Sequence, residues 1–103
     1  MGNREGDIQL YCLRYLKAKG YYFGRVNTGG IKRGNVWCKN PYTMRGMCDI
    51  LVFDEKNKIL VALEVKSSRG TLSTEQELFK KNWTTCGGKY IVVRDMGDIE
   101  KVL

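Results

Sequence analysis

The chain of 103 residues has no histidine. That removes the commonest general base, and with it every Ser–His or Cys–His device. Any catalysis here must run on carboxylates, lysine or a metal ion. The four cysteines, Cys12, Cys38, Cys48 and Cys86, contain no CxxC spacing. Without histidine they offer no structural zinc site, and they read as free, mostly buried thiols in a reducing compartment. No apolar run approaches membrane length, so no spanning helix is expected. The opening MGNREGD lacks a signal-peptide apolar region, so an intracellular, cytoplasmic location is expected, and position 6 is not the Ser or Thr that myristoylation of Gly2 would need. Gly29–Gly30 and Gly87–Gly88 lack the GxxxxGK[ST] setting of a phosphate loop. There are no repeats and no low-complexity segments. The length suits one domain over 1–103, and 43% apolar content is ordinary for a globular chain.

Acidic residues are missing from a long stretch. Between Ile8 and Cys48 stand eight basic residues and no acidic one: Arg14, Lys17, Lys19, Arg25, Lys32, Arg33, Lys39 and Arg45. From Asp49 onward nine basic residues meet nine acidic ones, and the net charge is +7. Solvated surfaces usually mix signs, so a one-sided positive half suggests a polyanion partner, most simply nucleic acid.

What is present is a pair of apolar runs ending in charges. Ile59–Lys66, ILVALEVK, reads as a buried strand, and Leu60, Ala62, Glu64 and Lys66 share one of its faces. Asp49–Phe53, DILVF, reads as the strand before it, and Asp54–Lys58, DEKNK, as the turn. A hairpin loop of two or four residues centred between Lys56 and Asn57 pairs Phe53 with Leu60, Leu51 with Ala62, and Asp49 with Glu64. A loop of three or five would move Asp49 off Glu64. Directly opposed side chains have Cβ atoms about 4.5–5.5 Å apart, so two carboxylates there need a partner. A shared proton, Lys66 or a divalent cation would each serve, and Mg²⁺ or Mn²⁺ suits carboxylates, water and phosphate. The plainer alternative is a Glu64–Lys66 ion pair at a strand end, with Asp49 in solvent.

Around this hairpin the pattern is helix, two to four strands, helix, strand, helix, which is an α/β sandwich with a mixed sheet. Arg4–Lys19 reads as an amphipathic helix with Ile8, Cys12, Tyr15 and Leu16 inward and Gly20 as its stop. Glu5 lies on or beside its inward face, either as a favoured charge at the helix start or as a third acid aimed at the hairpin. Tyr21–Asn27 reads as a strand, Thr28–Gly30 as a turn, Ile31–Gly34 as a loop and Asn35–Lys39 as a short strand. Basic residues here and in Asn40–Met47, interleaved with Tyr, Trp and Asn, suit phosphate contacts and base stacking. Ser73 with Gln76 forms a capping box opening a helix to about Cys86, ended by Gly87 and Gly88. Gln76 has a full explanation as that cap, and it also stands where it could reach a site. Lys89–Arg94 reads as a strand, and Asp95–Leu103 as a closing helix.

Asp49, a hairpin and then Glu64-Val65-Lys66 form D-xₙ-E-x-K, which resembles the PD-(D/E)xK nuclease superfamily with its restriction-endonuclease-like αβββαβ core. More closely, the chain resembles the virus-type replication-repair nuclease (VRR-NUC) domain. The likeness rests on Glu5 with Ile8-Gln9, Arg25-Val-Asn27-Thr28-Gly29, Gly46-x-x-Asp49-Ile-Leu, Glu64-Val-Lys66, and Gly70-x-Leu72-Ser73-x-x-Gln76. Cys48 stands where that family usually has proline. The resemblance implies a Mg²⁺- or Mn²⁺-dependent endonuclease in its stand-alone phage and bacterial form, a homodimer acting on branched DNA such as Holliday junctions. It implies catalytic roles for Glu5, Asp49, Glu64, Lys66 and Gln76. Asp49, Glu64, the Val65 carbonyl and, as a further candidate, Glu5 would hold the metal. Arg25, Asn27, Thr28, Lys32, Arg33 and Arg45 would contact DNA. The competing expectation is a basic DNA-binding accessory module that keeps the fold without turnover.

Overall fold

Ile8, Cys12 and Leu16 recur every four residues and are fully buried, which gives α1 (Glu5–Lys19) a single apolar stripe. Gly20 ends it at φ +82°, and the Tyr21 N–H reaches back to the Leu16 carbonyl. Tyr21 is therefore part of the cap, and β1 starts one residue late, as Tyr22–Arg25. The computed structural model describes residues 4–26, 31–33, 36–38, 42 and 44–103. The remaining elements are β2 (Ile31–Arg33), β3 (Val36–Cys38), β4 (Ile50–Asp54), β5 (Ile59–Val65), α2 (Thr74–Thr85), β6 (Lys89–Val93) and α3 (Asp98–Val102).

Four strands form one sheet in the order β1-β4-β5-β6. β1, β4 and β5 are antiparallel neighbours, and β6 lies parallel to β5 after the α2 crossover. The sheet is mixed and flanked by helices, and β2 with β3 makes a separate antiparallel pair. With that pair set aside as an insertion, the succession is αβββαβ followed by α3. The expected loop over Ile31–Gly34 is corrected here, because Ile31–Arg33 is strand and pairs with Val36–Cys38. Two of those three residues are Lys32 and Arg33, so no apolar alternation signals the strand. The turn expected over Thr28–Gly30 lies outside the described residues.

Both faces of β5 are covered, which is why its sequence is apolar almost throughout. Val61, Leu63 and Val65 join Ile50, Val52 and Val93 beneath α1 and Ile99 of α3. Ala62 packs with Cys48 and Phe79 beneath α2. Burial pushes the Cys12 thiol up to about 11 and the Cys48 thiol up to about 12, so both behave as small apolar groups. Cys86 departs from the expected pattern of buried thiols, since it caps α2 in an exposed position.

The β4–β5 loop has four residues, 55–58, as the symmetric pairing requires: Asp54 pairs with Ile59, Phe53 with Leu60 and Leu51 with Ala62. Asp54 accepts from the backbone N–H and the side-chain amide of Asn57, which holds its carboxyl below the usual range. α3 is shorter than expected. The Asp98 carboxylate accepts from the N–H groups of Arg94 and Asp95, and the Asp95 carboxylate accepts from that of Gly97. Those bonds form a turn and delay the helix to Asp98.

Candidate active site

The pairing carried one step beyond Ile50–Leu63 places Asp49 opposite Glu64, on the face beneath α2. The backbone continues the ladder there, with the Val26 N–H on the Asp49 carbonyl at 2.9 Å and the Asp49 N–H on the Leu63 carbonyl at 3.0 Å. Oδ2 of Asp49 accepts from the Val65 N–H at 2.7 Å, which orients that carboxylate. Glu64 is only 3% exposed. Its Oε1 accepts from Gln76 Nε2 at 2.8 Å and lies 3.8 Å from Lys66 Nζ. Its Oε2 is buried with no partner. Burial, and then the Asp49 charge, push the Glu64 carboxyl up to about 7, against the opposing pull of Lys66.

The first turn of α2 supplies Gln76. Ser73 Oγ accepts from the Gln76 N–H at 3.1 Å, and Gln76 Oε1 accepts from the Ser73 N–H at 2.9 Å. The capping box is therefore complete, and the same side chain still donates its amide N–H to Glu64. Both sequence readings of Gln76 hold at once, because its two ends serve different partners. Replacing Ser73 with Ala is expected to cost about 1 kcal/mol of stability, the usual value of such a cap. Chemical denaturation would measure it. The substitution keeps the backbone N–H at position 73 that holds Gln76 Oε1, so the Gln76 amide should stay on Glu64.

Glu5 lies near enough for its charge to help push the Glu64 carboxyl up, but it does not complete a three-carboxylate cluster. Its Oε1 accepts from the Ser67 N–H at 3.0 Å, which secures the chain just after Lys66. Arg94 works on the same segment, donating from Nη1 to the carbonyls of Ser67 and Gly70. Among the described residues no group of three His, Cys, Asp or Glu side chains could hold a metal ion. Asp49, Glu64 and the Val65 carbonyl remain the donors that the resemblance implies, and Glu5 holds the chain after Lys66. Two carboxylates with remaining positions for water and phosphate suit Mg²⁺ or Mn²⁺, which rarely need an all-protein cage. The bare, buried Oε2 of Glu64 beside Asp49 fits a cation, which would satisfy it and relieve the repulsion.

No family model matches the sequence, and no curated protein does. Solved structures do. One described as "VRR_NUC domain" aligns over 95% of this chain and 91% of its own, with 18% identity and a TM-score of 0.68. Another, described as "VRR_NUC domain protein", aligns over 99% of this chain and 86% of its own, with 15% identity and a TM-score of 0.71. The chain has the VRR_NUC fold.

Within this VRR_NUC fold the expected DNA contacts are spread out. Arg45 is exposed, and its guanidinium lies 3.6 Å from Glu75 on the first turn of α2. Arg25 ends β1 and pairs with Ile50, so it projects from the α1 side of the sheet, opposite the carboxylates. Lys32 and Arg33 lie on β2. Asn27 and Thr28 lie outside the described residues. Sequence reasoning missed Arg94 and Tyr90. A cation closing a buried strand and a phenol within one were the available signals. No helix among the described residues is long and apolar enough to cross a membrane.

Proposed function

We propose that this chain is a Mg²⁺- or Mn²⁺-dependent DNA endonuclease that hydrolyses phosphodiester bonds in branched DNA such as four-way junctions, working as a homodimer. The observation that carries the reading is Glu64. A buried carboxylate with one oxygen held by Gln76 and Lys66 and the other bare beside Asp49 is a poor structural ion pair. It is a good half of a metal site, and it stands in the VRR_NUC fold.

Asp49, Glu64 and the Val65 carbonyl would hold the cation. When bound, it would neutralise charge on the phosphate and make water a better nucleophile. The chain's own groups do the rest. The Val65 N–H fixes Asp49, and Gln76 fixes Glu64. Lys66, 16% exposed and next to Glu64, orients the attacking water and donates to the oxygen on which negative charge builds. Glu5 and Arg94 hold the segment after Lys66, which limits where its ammonium can go. The net charge of +7 draws the DNA backbone in, and Arg45 together with Lys32, Arg33, Asn27 and Thr28 contacts its phosphates. A symmetric pair of subunits would cut two strands of a junction at matched positions.

The test is cleavage of labelled four-way junction, 5′ flap, splayed arm and plain duplex in Mg²⁺, Mn²⁺ and EDTA. Paired nicks in the junction with metal, and none in EDTA, are expected. Lys66→Ala should lower the rate about 10²–10³-fold. Full metal-dependent cleavage by that variant would remove the role given to Lys66. Tight binding with no cleavage in any metal would make the chain a DNA-binding module instead.

A further inference from the structure

Two buried polar atoms among the described residues lack a hydrogen-bond partner: Glu64 Oε2 and the Tyr90 hydroxyl. They belong to the same floor. Tyr90 pairs with Ala62, and Glu64 with Val92, in the parallel β5–β6 ladder. Side chains alternate along each strand, so Ala62, Glu64 and Tyr90 all face α2. The Tyr90 ring packs into the cluster of Cys48, Ala62 and Phe79, with its centroid 6.1 Å from that of Phe79. Cys48 precedes Asp49, so the cluster places the phenol toward the carboxylate end of the sheet. Burial raises the Tyr90 hydroxyl pKa, and among charged groups Glu64 is the leading cause. A buried phenol normally finds a partner, and a buried carboxylate oxygen needs one.

We infer that Tyr90 is a positioning residue for Glu64, its hydroxyl donating to one enclosed water that in turn donates to Glu64 Oε2. A water with polar partners on two sides is the ordinary way such orphan atoms are satisfied. A carboxylate oxygen has two lone pairs, so a bond from the sheet floor leaves the other free for a cation. Gln76 on Oε1 and Tyr90 beneath Oε2 would then fix both ends of the carboxylate. Partners behind metal ligands of this kind usually set ligand orientation and affinity.

The metal part of this inference rests on the function proposed above, and the experiment separates the two. Thermal unfolding in EDTA at pH 8 compares the wild type, Tyr90→Phe, Glu64→Met and the double variant. Tyr90→Phe should lower Tm by about 4 °C or more when Glu64 is present, and by much less in the E64M background. Equal losses in both backgrounds would overturn the link between Tyr90 and Glu64. Calorimetric titration with Mn²⁺ alone should show affinity about tenfold weaker for Tyr90→Phe. Equal Mn²⁺ affinity in Tyr90→Phe and wild type would overturn the positioning role, since a merely structural tyrosine changes Tm without changing metal binding. A wild type that binds no Mn²⁺ yet shows the coupled Tm losses would overturn the metal reading and leave the contact standing.

Discussion

Glu64→Gln should make the metal-free protein more stable at pH 8 while, on the proposed mechanism, abolishing cleavage. The folded state raises the Glu64 carboxyl from 4.5 to about 7. A raised carboxyl binds its proton more tightly folded than unfolded. Its stabilising contribution is therefore complete below about 4.5 and is lost as pH rises through about 7. Above that, a charge only partly offset by Gln76 and Lys66 sits in a site that is 3% exposed, at a penalty of about 3 kcal/mol. The glutamine amide carries no charge. Its oxygen can accept from Gln76, and its NH₂ can face Asp49. Melting in EDTA should place the variant about 10 °C or more above wild type at pH 8, with the gap closing near pH 5. Added Mn²⁺ should stabilise the wild type and leave the variant unmoved. Equal melting points at pH 8 would mean that the buried charge is already compensated.

The second large effect is expected at Gly46. It has φ +71°, and an added Cβ would stand 2.4 Å from the backbone carbon and oxygen of Glu75 and 2.6 Å from the Gln76 nitrogen. These are main-chain atoms of the first turn of α2, so nothing flexible can move aside. Left-handed strain and overpacking together put the cost of Gly46→Ala at about 2–4 kcal/mol. Thermal unfolding should fall by at least about 10 °C. Gly20→Ala is the control, because it shares the positive φ and meets nothing within 4 Å. It should show only the strain. A Gly46→Ala loss no larger than the Gly20→Ala loss would mean that the loop does not press on α2. On the proposed mechanism, whatever fold remains should also cleave poorly, since the displaced turn carries Gln76.

The resemblance stated from the motifs and the VRR_NUC fold agree on architecture. Much of that agreement came from local pattern. Ile8, Cys12 and Leu16 marked one helical face because a helix repeats every 3.6 residues. Two apolar runs around a polar loop with an even number of residues allowed one symmetric register, and Asp49 falls opposite Glu64 within it. Ser73 and Gln76 declared a helix start because a cap needs those groups three residues apart. Each of these features depends on neighbours within a turn or a hairpin, so the chain carries them in its spacing.

The rest was decided by packing between distant segments. Glu5 could be read as a favoured charge at its helix start or as a third acid aimed at the hairpin, and only the fold shows that it meets the Ser67 N–H, 62 residues away. Arg25 looked like part of the DNA surface, and the pleat of β1 turns it to the other side of the sheet. Gly46 stood in the sequence only as the glycine ahead of Asp49, and it proved to be a close approach between a loop and a helix. Arg94 and Tyr90 showed in the sequence only as a cation closing a buried strand and a phenol within one, with nothing to say what they would meet. Periodicity sets which way a side chain leaves its own element. What it then meets depends on how the elements dock, and that follows from burying two apolar faces of one sheet at the same time.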